Sequence, residues 1–328
     1  MKTEIIAEVA QGYEGNPKLA QLLVKGALIS GADAVKIQLV FADELCVPSY
    51  PYYDLFKSLE MKDSIWLEIV KTVHESGKRI YFDVYGERSL ILAKRIEADG
   101  VKISTTDFYN LPLIKRAFSS FDNVYVSIGG VPKKDIDAMM NMRDLPKNIV
   151  LMHGFQAEPT ETKENNLARI ATLRKEYPGI GIGFMDHSLG SEEEAFNLPL
   201  VALGVGVSSI EKHITLDYDL QIEDYISALS IDRFGKFVRM IHSLETSLGS
   251  SEMTLTDKEI DYKNRAGKVV VAIKNLKKGH SISEDDVSMK RVSTTPSSDY
   301  YQKVEPLIGK IISSSLKKDE PFIKGIHI

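Results

Sequence analysis

His187 and His213 stand 26 residues apart in a chain of 328. That is one unit of an alternating strand–helix repeat, so adjacent strand ends can bring the two imidazoles together. With carboxylates from Asp186, Glu211, Glu8 or Asp224, they suit a divalent ion that keeps positions open for water and substrate. A lone rim histidine more often only hydrogen-bonds its surroundings; a pair on neighbouring strand ends favours metal. Two lysines sit inside apolar runs, Ala34-Val35-Lys36-Ile37-Gln38 and Gly100-Val101-Lys102-Ile103-Ser104. A charge there is costly unless it is paired or used. Inward lysines suit a bound phosphate or carboxylate; a Schiff-base lysine and a buried Lys–carboxylate pair are the competing roles.

Polar residues recur wherever an apolar run ends: Glu8; Lys36 and Gln38; Asp83; Lys102, Thr105 and Asp107; Ser127; His153 and Gln156; Asp186 and His187; Glu211, Lys212 and His213. One such residue would be a structural ion pair, but so many on one rim point to an active site. The glycines of Gly179-Ile180-Gly181-Ile182-Gly183 and Gly204-Val205-Gly206 lack dinucleotide-fingerprint spacing and context, and close packing is their expected role. Trp66 and the Tyr50–Tyr53 cluster are expected in core or loop packing.

The elements that must position these groups are short apolar runs near 5–8, 35–39, 80–84, 101–104, 124–127, 149–153, 180–184 and 207–213. Amphipathic stretches alternate with them. Pro17–Ser30 opens with proline in its first turn and closes before Gly31, Asp63–Ser76 ends at Gly77, and Ile231–Leu248 ends at Gly249. Eight strand–helix units are the count of a (β/α)8 barrel over residues 1–249, which needs about 250 residues. A doubly wound open sheet is the alternative, since both give buried parallel strands. Residues 250–266 are polar and read as a linker. Residues 267–328 form a β-rich module in which Lys277-Lys278-Gly279 and Lys317-Lys318-Asp319 repeat one "lysine pair, turn" phrase.

The net charge of −5 argues against nucleic-acid binding. Residues 267–328 hold 11 Lys+Arg against 7 Asp+Glu, a balance of +4, which leaves −9 on the rest; a basic module on an acidic body suits attraction of an anionic substrate. No apolar run reaches the ~18 residues of a membrane helix. The single cysteine excludes an intrachain disulfide. The cytoplasm is the expected compartment.

With these features in view, the chain resembles the sialic acid synthase family, the N-acetylneuraminate synthases and their legionaminate and pseudaminate relatives. The phrases that carry the resemblance are Ile6-Ala7-Glu8 with Gly15-Asn16, Gly31-Ala32-Asp33-Ala34-Val35-Lys36-Ile37-Gln38, Val101-Lys102-Ile103 with Asn110-Leu111-Pro112-Leu113-Ile114, Gly183-Phe184-Met185-Asp186-His187-Ser188-Leu189-Gly190 and Ile210-Glu211-Lys212-His213-Ile214-Thr215-Leu216-Asp217. The tail, with Met289-Lys290-Arg291 and Leu316-Lys317-Lys318-Asp319-Glu320-Pro321, resembles the antifreeze-like (SAF) domain of these synthases. The resemblance implies a TIM barrel with a SAF lid that condenses phosphoenolpyruvate with an N-acylated amino-sugar aldehyde. It implies His187 and His213 on Mn²⁺ or a similar divalent ion, and Lys36, Lys102, Thr105 and Ser127 on phosphoenolpyruvate. Glu8, Asp107, Glu211 and Asp224 would position sugar hydroxyls and manage protons, with Lys36 among the catalytic set. Gln156 would bind substrate, and Arg291 would reach the sugar's N-acyl group from the partner subunit of a domain-swapped homodimer.

The chain also departs from the pattern. Asp83 stands where a hydroxyl is usual, Met185 where a serine is, Gln156 where an asparagine is, and Glu158 where a sugar-contacting tyrosine is; Gly12-Tyr13 replaces an Asn-His pair. A carboxylate at position 83 would repel the donor's carboxylate unless a cation intervenes. These edits imply an acceptor other than plain N-acetylmannosamine. They also keep two alternatives open: a metal-dependent aldolase or lyase acting on a sugar acid without phosphoenolpyruvate, and a non-catalytic sugar-binding barrel.

Overall fold

The structure, a computed structural model, describes residues 2–155, 157–293 and 299–328. Eight parallel strands run in chain order: β1 (Glu4–Ala10), β2 (Ala34–Gln38), β3 (Arg79–Val84), β4 (Gly100–Ile103), β5 (Asn123–Ser127), β6 (Asn148–His153), β7 (Gly181–Asp186) and β8 (Ser209–Thr215). β1 pairs with both β2 and β8, which closes the sheet and rules out the open alternative. A helix follows each strand: α1 (Pro17–Ile29), α2 (Asp63–Glu75), α3 (Glu87–Arg95), α4 (Leu111–Ser120), α5 (Lys133–Met140), α6 (Ala168–Glu176), α7 (Glu194–Val205) and α8 (Ile231–Glu245). The start of α1 shows how sequence sets a boundary. Asn16 caps it by accepting from the Lys18 and Leu19 amides, and Pro17 takes a first-turn position that needs no donor.

Strand residues of one parity face the helices and the other parity faces the barrel axis. The outer set, including Ile5, Val35, Phe82 and Ile103, packs with the helices into the main core. There Trp66 of α2 meets Tyr13 and Phe82 edge-on, with ring centroids 5.3 and 5.8 Å away. The inner set forms a separate apolar plug of Ile6, Ala34, Tyr81, Tyr125, Met152 and Met185. Beneath it, Glu4 accepts from the hydroxyls of Tyr81, at 2.8 Å, and Tyr125, and pairs with Arg79 at 2.6 Å. The plug fits only because Gly183 lacks a side chain: a Cβ there would lie 2.3 Å from Met152 Sδ. Close packing is thus the role of that glycine.

Residues 1–249 and residues 250–328 form two separate compact units. The stretch 250–266, read from sequence as a linker, contains helix α9 (Asp257–Ala266). A reciprocal Thr256–Glu259 capping box starts that helix, whose composition is mostly polar. Next, β9 (Val269–Ala272) pairs antiparallel with β10 (Val287–Lys290). The repeated phrases meet: the Leu276 and Leu316 amides donate to each other's carbonyls at 2.8 and 2.9 Å. Gly279 and Asp319, at matching places in the two phrases, both have positive φ, of 89° and 68°.

Asp286 ties this unit together from a nearly fully buried position. It pairs with Lys274 at 2.6 Å and His280 at 2.8 Å, and accepts from the Ser283 amide and hydroxyl at 2.8 and 2.9 Å. Burial favours its neutral form, but Lys274, His280 and Ser283 outweigh burial and hold the carboxyl well below the usual range. A depressed carboxyl stabilises above its unfolded value and loses that contribution as pH falls through the folded one. The unit's unfolding temperature therefore drops below about pH 4. Asp286→Ala costs it about 1–3 kcal/mol at neutral pH and removes this acid sensitivity, which thermal melts from pH 3 to 7 will check.

Candidate active site

The period of two that builds the plug also builds the site above it. Two residues beyond Ile6, Ala34, Tyr81, Tyr125 and Met185 come Glu8, Lys36, Asp83, Ser127 and His187. Lys102 follows Gly100, and Ser209, Glu211 and His213 climb β8. Register agrees, since Glu8 is the Cα partner of both Lys36 and His213, and Asp83 that of Lys102.

The floor is an ionic network. Lys36 Nζ contacts the Glu8 and Asp83 carboxylates and lies 3.7 Å from Glu211 Oε1, to which Lys102 Nζ donates at 2.5 Å. All five side chains are buried. Asp83 Oδ1 and Glu211 Oε2 have no hydrogen-bond partner among the described residues. Burial, reinforced by Glu211 and Asp83 against the opposing Lys36 and Lys102, pushes the Glu8 carboxyl up to about 8. Burial also works against the Lys36 ammonium, but Asp83, Glu211 and Glu8 hold its pKa well above the ordinary lysine value. Glu211 is the reverse case, because Lys102 and Lys36 overcome its burial and lower it. With Glu8 protonated at neutral pH, two carboxylates balance two ammoniums. Of the roles open to Lys36 and Lys102 from sequence, the buried ion pair is the one seen here.

Beside this floor the His187 and His213 rings lie 5.3 Å apart between centroids. Burial lowers His187 to about 4 and holds His213 well below the usual histidine value, so both rings are neutral at physiological pH. Each has a buried Nδ1 with no hydrogen-bond partner among the described residues. Neutral imidazoles with unsatisfied nitrogens fit a cation. A third group, which sequence reasoning assigned elsewhere, is present: Glu158 Oε1 lies 3.7 Å from His213 Nε2. Ligand atoms of Glu158, His187 and His213 all fall within 4.8 Å of one another, a set that could hold a metal ion. Burial, with Asp224 and Glu223 nearby, pushes the Glu158 carboxyl up to about 7.

Asp186 is not in this set. It and Lys212 have the outward parity of their strands; they pair behind the barrel at 2.9 Å, and Lys212 Nζ reaches the Ser188 carbonyl at 3.2 Å. Its metal-ligand role read from sequence is therefore withdrawn. Around the rim, Thr105 and Ser127 share a hydroxyl hydrogen bond of 2.6 Å. Asp107 accepts from Asn110 Nδ2 at 3.1 Å, and burial raises it. Asp224, at a positive φ of 66°, accepts from the Gln11 amide at 3.0 Å and is raised by burial to about 6. Arg291 belongs to the second unit, where its Nε donates to the Ala266 carbonyl at 2.9 Å. Gln156 lies outside the described residues.

Comparison with known proteins bears on this arrangement. Residues 23–253 match the NeuB family, and residues 267–323 match the SAF domain. The chain is 26% identical to the pseudaminic acid synthase of Campylobacter jejuni, over 99% of this chain and 96% of that one. It is also 26% identical to the N,N'-diacetyllegionaminic acid synthase of Legionella pneumophila, over 95% and 91%. Among solved structures it resembles the N-acetylneuraminic acid (sialic acid) synthetase of Leptospira borgpetersenii, determined in complex with citrate. The TM-score is 0.74 at 25% identity, covering 80% of this chain and 92% of that one.

Proposed function

The chain belongs to the NeuB family, and on that footing we propose that it condenses phosphoenolpyruvate with an N-acylated amino-sugar aldehyde, forming a nonulosonic acid and releasing phosphate. The observation that carries this reading is two buried ammoniums beside two neutral imidazoles whose Nδ1 atoms find no partner among the described residues. It pairs an anion-binding half with a cation-binding half, as a condensation between an anionic donor and a neutral aldehyde requires.

In this reading Lys36, Lys102, Thr105, Ser127 and Gln156 hold the donor's carboxylate and phosphate. Lys36 already neutralises Asp83, which answers the repulsion a carboxylate at that position would exert. The donor's C3 forms the new bond to the aldehyde carbon, water adds at C2, and the C2–O bond to phosphate breaks. Glu8, protonated at neutral pH, is placed to deliver a proton to the developing alkoxide, and Glu211, Asp107 and Asp224 to accept protons and orient hydroxyls. His187 and His213 would hold a divalent cation, Mn²⁺ or similar, which when bound would supply Lewis acidity to the condensation. Arg291, reaching the N-acyl group from a partner copy in a swapped homodimer, completes the acceptor site. Among the described residues no helix is long and apolar enough to cross a membrane; the cytoplasm is the compartment we assign.

The test is phosphate release on mixing the protein with Mn²⁺, phosphoenolpyruvate and a panel of N-acylated amino sugars. Product without phosphate release, or no turnover with any acceptor, overturns the reading. Removal of residues 250–328 gives a second check. The barrel has its own core and stays folded, while kcat/KM falls at least tenfold through loss of Arg291, about 1.4 kcal/mol of transition-state binding. Steady-state kinetics of the truncated protein will measure this.

A further inference from the structure

We propose that Glu158 is a third protein ligand to the cation held by His187 and His213, so that the site binds its metal before either substrate arrives; this rests on the cation-binding reading above. Donor atoms that share an ion at about 2.0–2.2 Å stand about 3–4 Å apart. Glu158 Oε1 and His213 Nε2 are 3.7 Å apart, and all three ligand atoms lie within 4.8 Å of one another. Small side-chain movements suffice to close the set.

The loop that carries Glu158 is anchored to the strand end it serves. The Thr160 amide donates to the His187 carbonyl at 2.8 Å. The Thr160 hydroxyl donates to the Phe155 and Ala157 carbonyls at 2.9 and 2.7 Å, folding the loop back on itself. The same His187 carbonyl accepts from Ser227 Oγ at 3.0 Å, which fixes the ligand-bearing turn from its other side. Among the described residues, no lysine or arginine forms an ion pair with Glu158. It is a carboxylate without a structural cation, held beside two neutral nitrogens. Two imidazoles and one carboxylate are a set used for first-row divalent ions that keep positions open for exogenous oxygens. The carboxylate also cancels one of the ion's two charges, favouring retention of the metal by the substrate-free protein.

The probe is Mn²⁺ alone, titrated into the full-length protein without substrates and followed by the loss of its aqueous paramagnetic resonance signal. Wild type is expected to bind at one site. Glu158→Gln, which keeps the size and polarity of the side chain, is expected to weaken binding at least tenfold, and Glu158→Asp to recover part of the loss. Repeating the titration at about 1 M salt, where the Debye length is near 3 Å, separates ligation from attraction at a distance. Ligation keeps the difference between wild type and Glu158→Gln, and a difference that vanishes overturns the proposal. An unchanged affinity in Glu158→Gln overturns it as well, while leaving the two-histidine site standing. If wild type takes up no Mn²⁺, the cation-binding reading falls and this inference with it. Circular dichroism of each variant checks the fold.

Discussion

His187→Ala and His213→Ala each lower turnover by about 1000-fold or more and leave the barrel folded. The activity loss follows from the role assigned to the pair: Lewis-acid stabilisation of a developing alkoxide supplies several kcal/mol, and each 1.36 kcal/mol is a factor of ten in rate. The preserved fold follows from what the rings lack. Each has a buried Nδ1 with no hydrogen-bond partner among the described residues, so truncation strands no donor or acceptor there that depended on it. The desolvation cost of that nitrogen is instead relieved. A histidine that only braced the rim would behave in the opposite way, with lost stability and residual activity in proportion to the folded fraction. Turnover in Mn²⁺-replete buffer, measured beside unfolding by denaturant, separates the two. Either variant working near the wild-type rate removes the metal pair from the mechanism.

What was legible in the sequence was whatever depends on strand parity. Glu8, Lys36, Lys102, Glu211, His187 and His213 share the parity of a barrel interior, and all six side chains are buried there. The same rule, applied strictly, would have excluded Asp186 and Lys212, whose parity turns them outward into their own ion pair. Glu158 was not legible as a neighbour of the histidines. Its place depends on a loop path fixed by the Thr160 amide on the His187 carbonyl, and no periodicity encodes that contact. Helix α9 has one local signal in the sequence, the capping-box spacing of Thr256 and Glu259.

Lys36→Met is expected to cost about 3–5 kcal/mol of stability, the usual consequence of removing one member of a buried ionic set and leaving its partners uncompensated. Three buried carboxyl groups, those of Glu8, Asp83 and Glu211, lie within 4 Å of that one ammonium. Lys102 remains to serve Glu211 alone. Asp83→Thr should be mild by comparison, because Glu8, protonated in the wild type and in contact with Lys36, can ionise in its place and keep both cations compensated. The pH dependence of the wild type reports on the same network. Glu8 is raised from its ordinary 4.5 to about 8, so its contribution to stability is present below the unfolded value and lost as pH rises through about 8. The unfolding free energy therefore declines between about pH 5 and 8, and Glu8→Gln flattens the decline. Donor binding then gives the functional reading of Lys36. Two like charges about 4 Å apart repel by about 1–4 kcal/mol at the dielectrics of water and a protein cleft. Lys36 can spare the donor that repulsion only while it stays between the donor's carboxylate and Asp83. Titration calorimetry of phosphoenolpyruvate with Mn²⁺ present should show binding to wild type, equal or tighter binding to Asp83→Thr, and none to Lys36→Met at pH values where that variant is folded. Binding absent from wild type and present in Asp83→Thr would show that Asp83 serves a different donor, and would turn the assignment toward an aldolase or lyase that works without phosphoenolpyruvate.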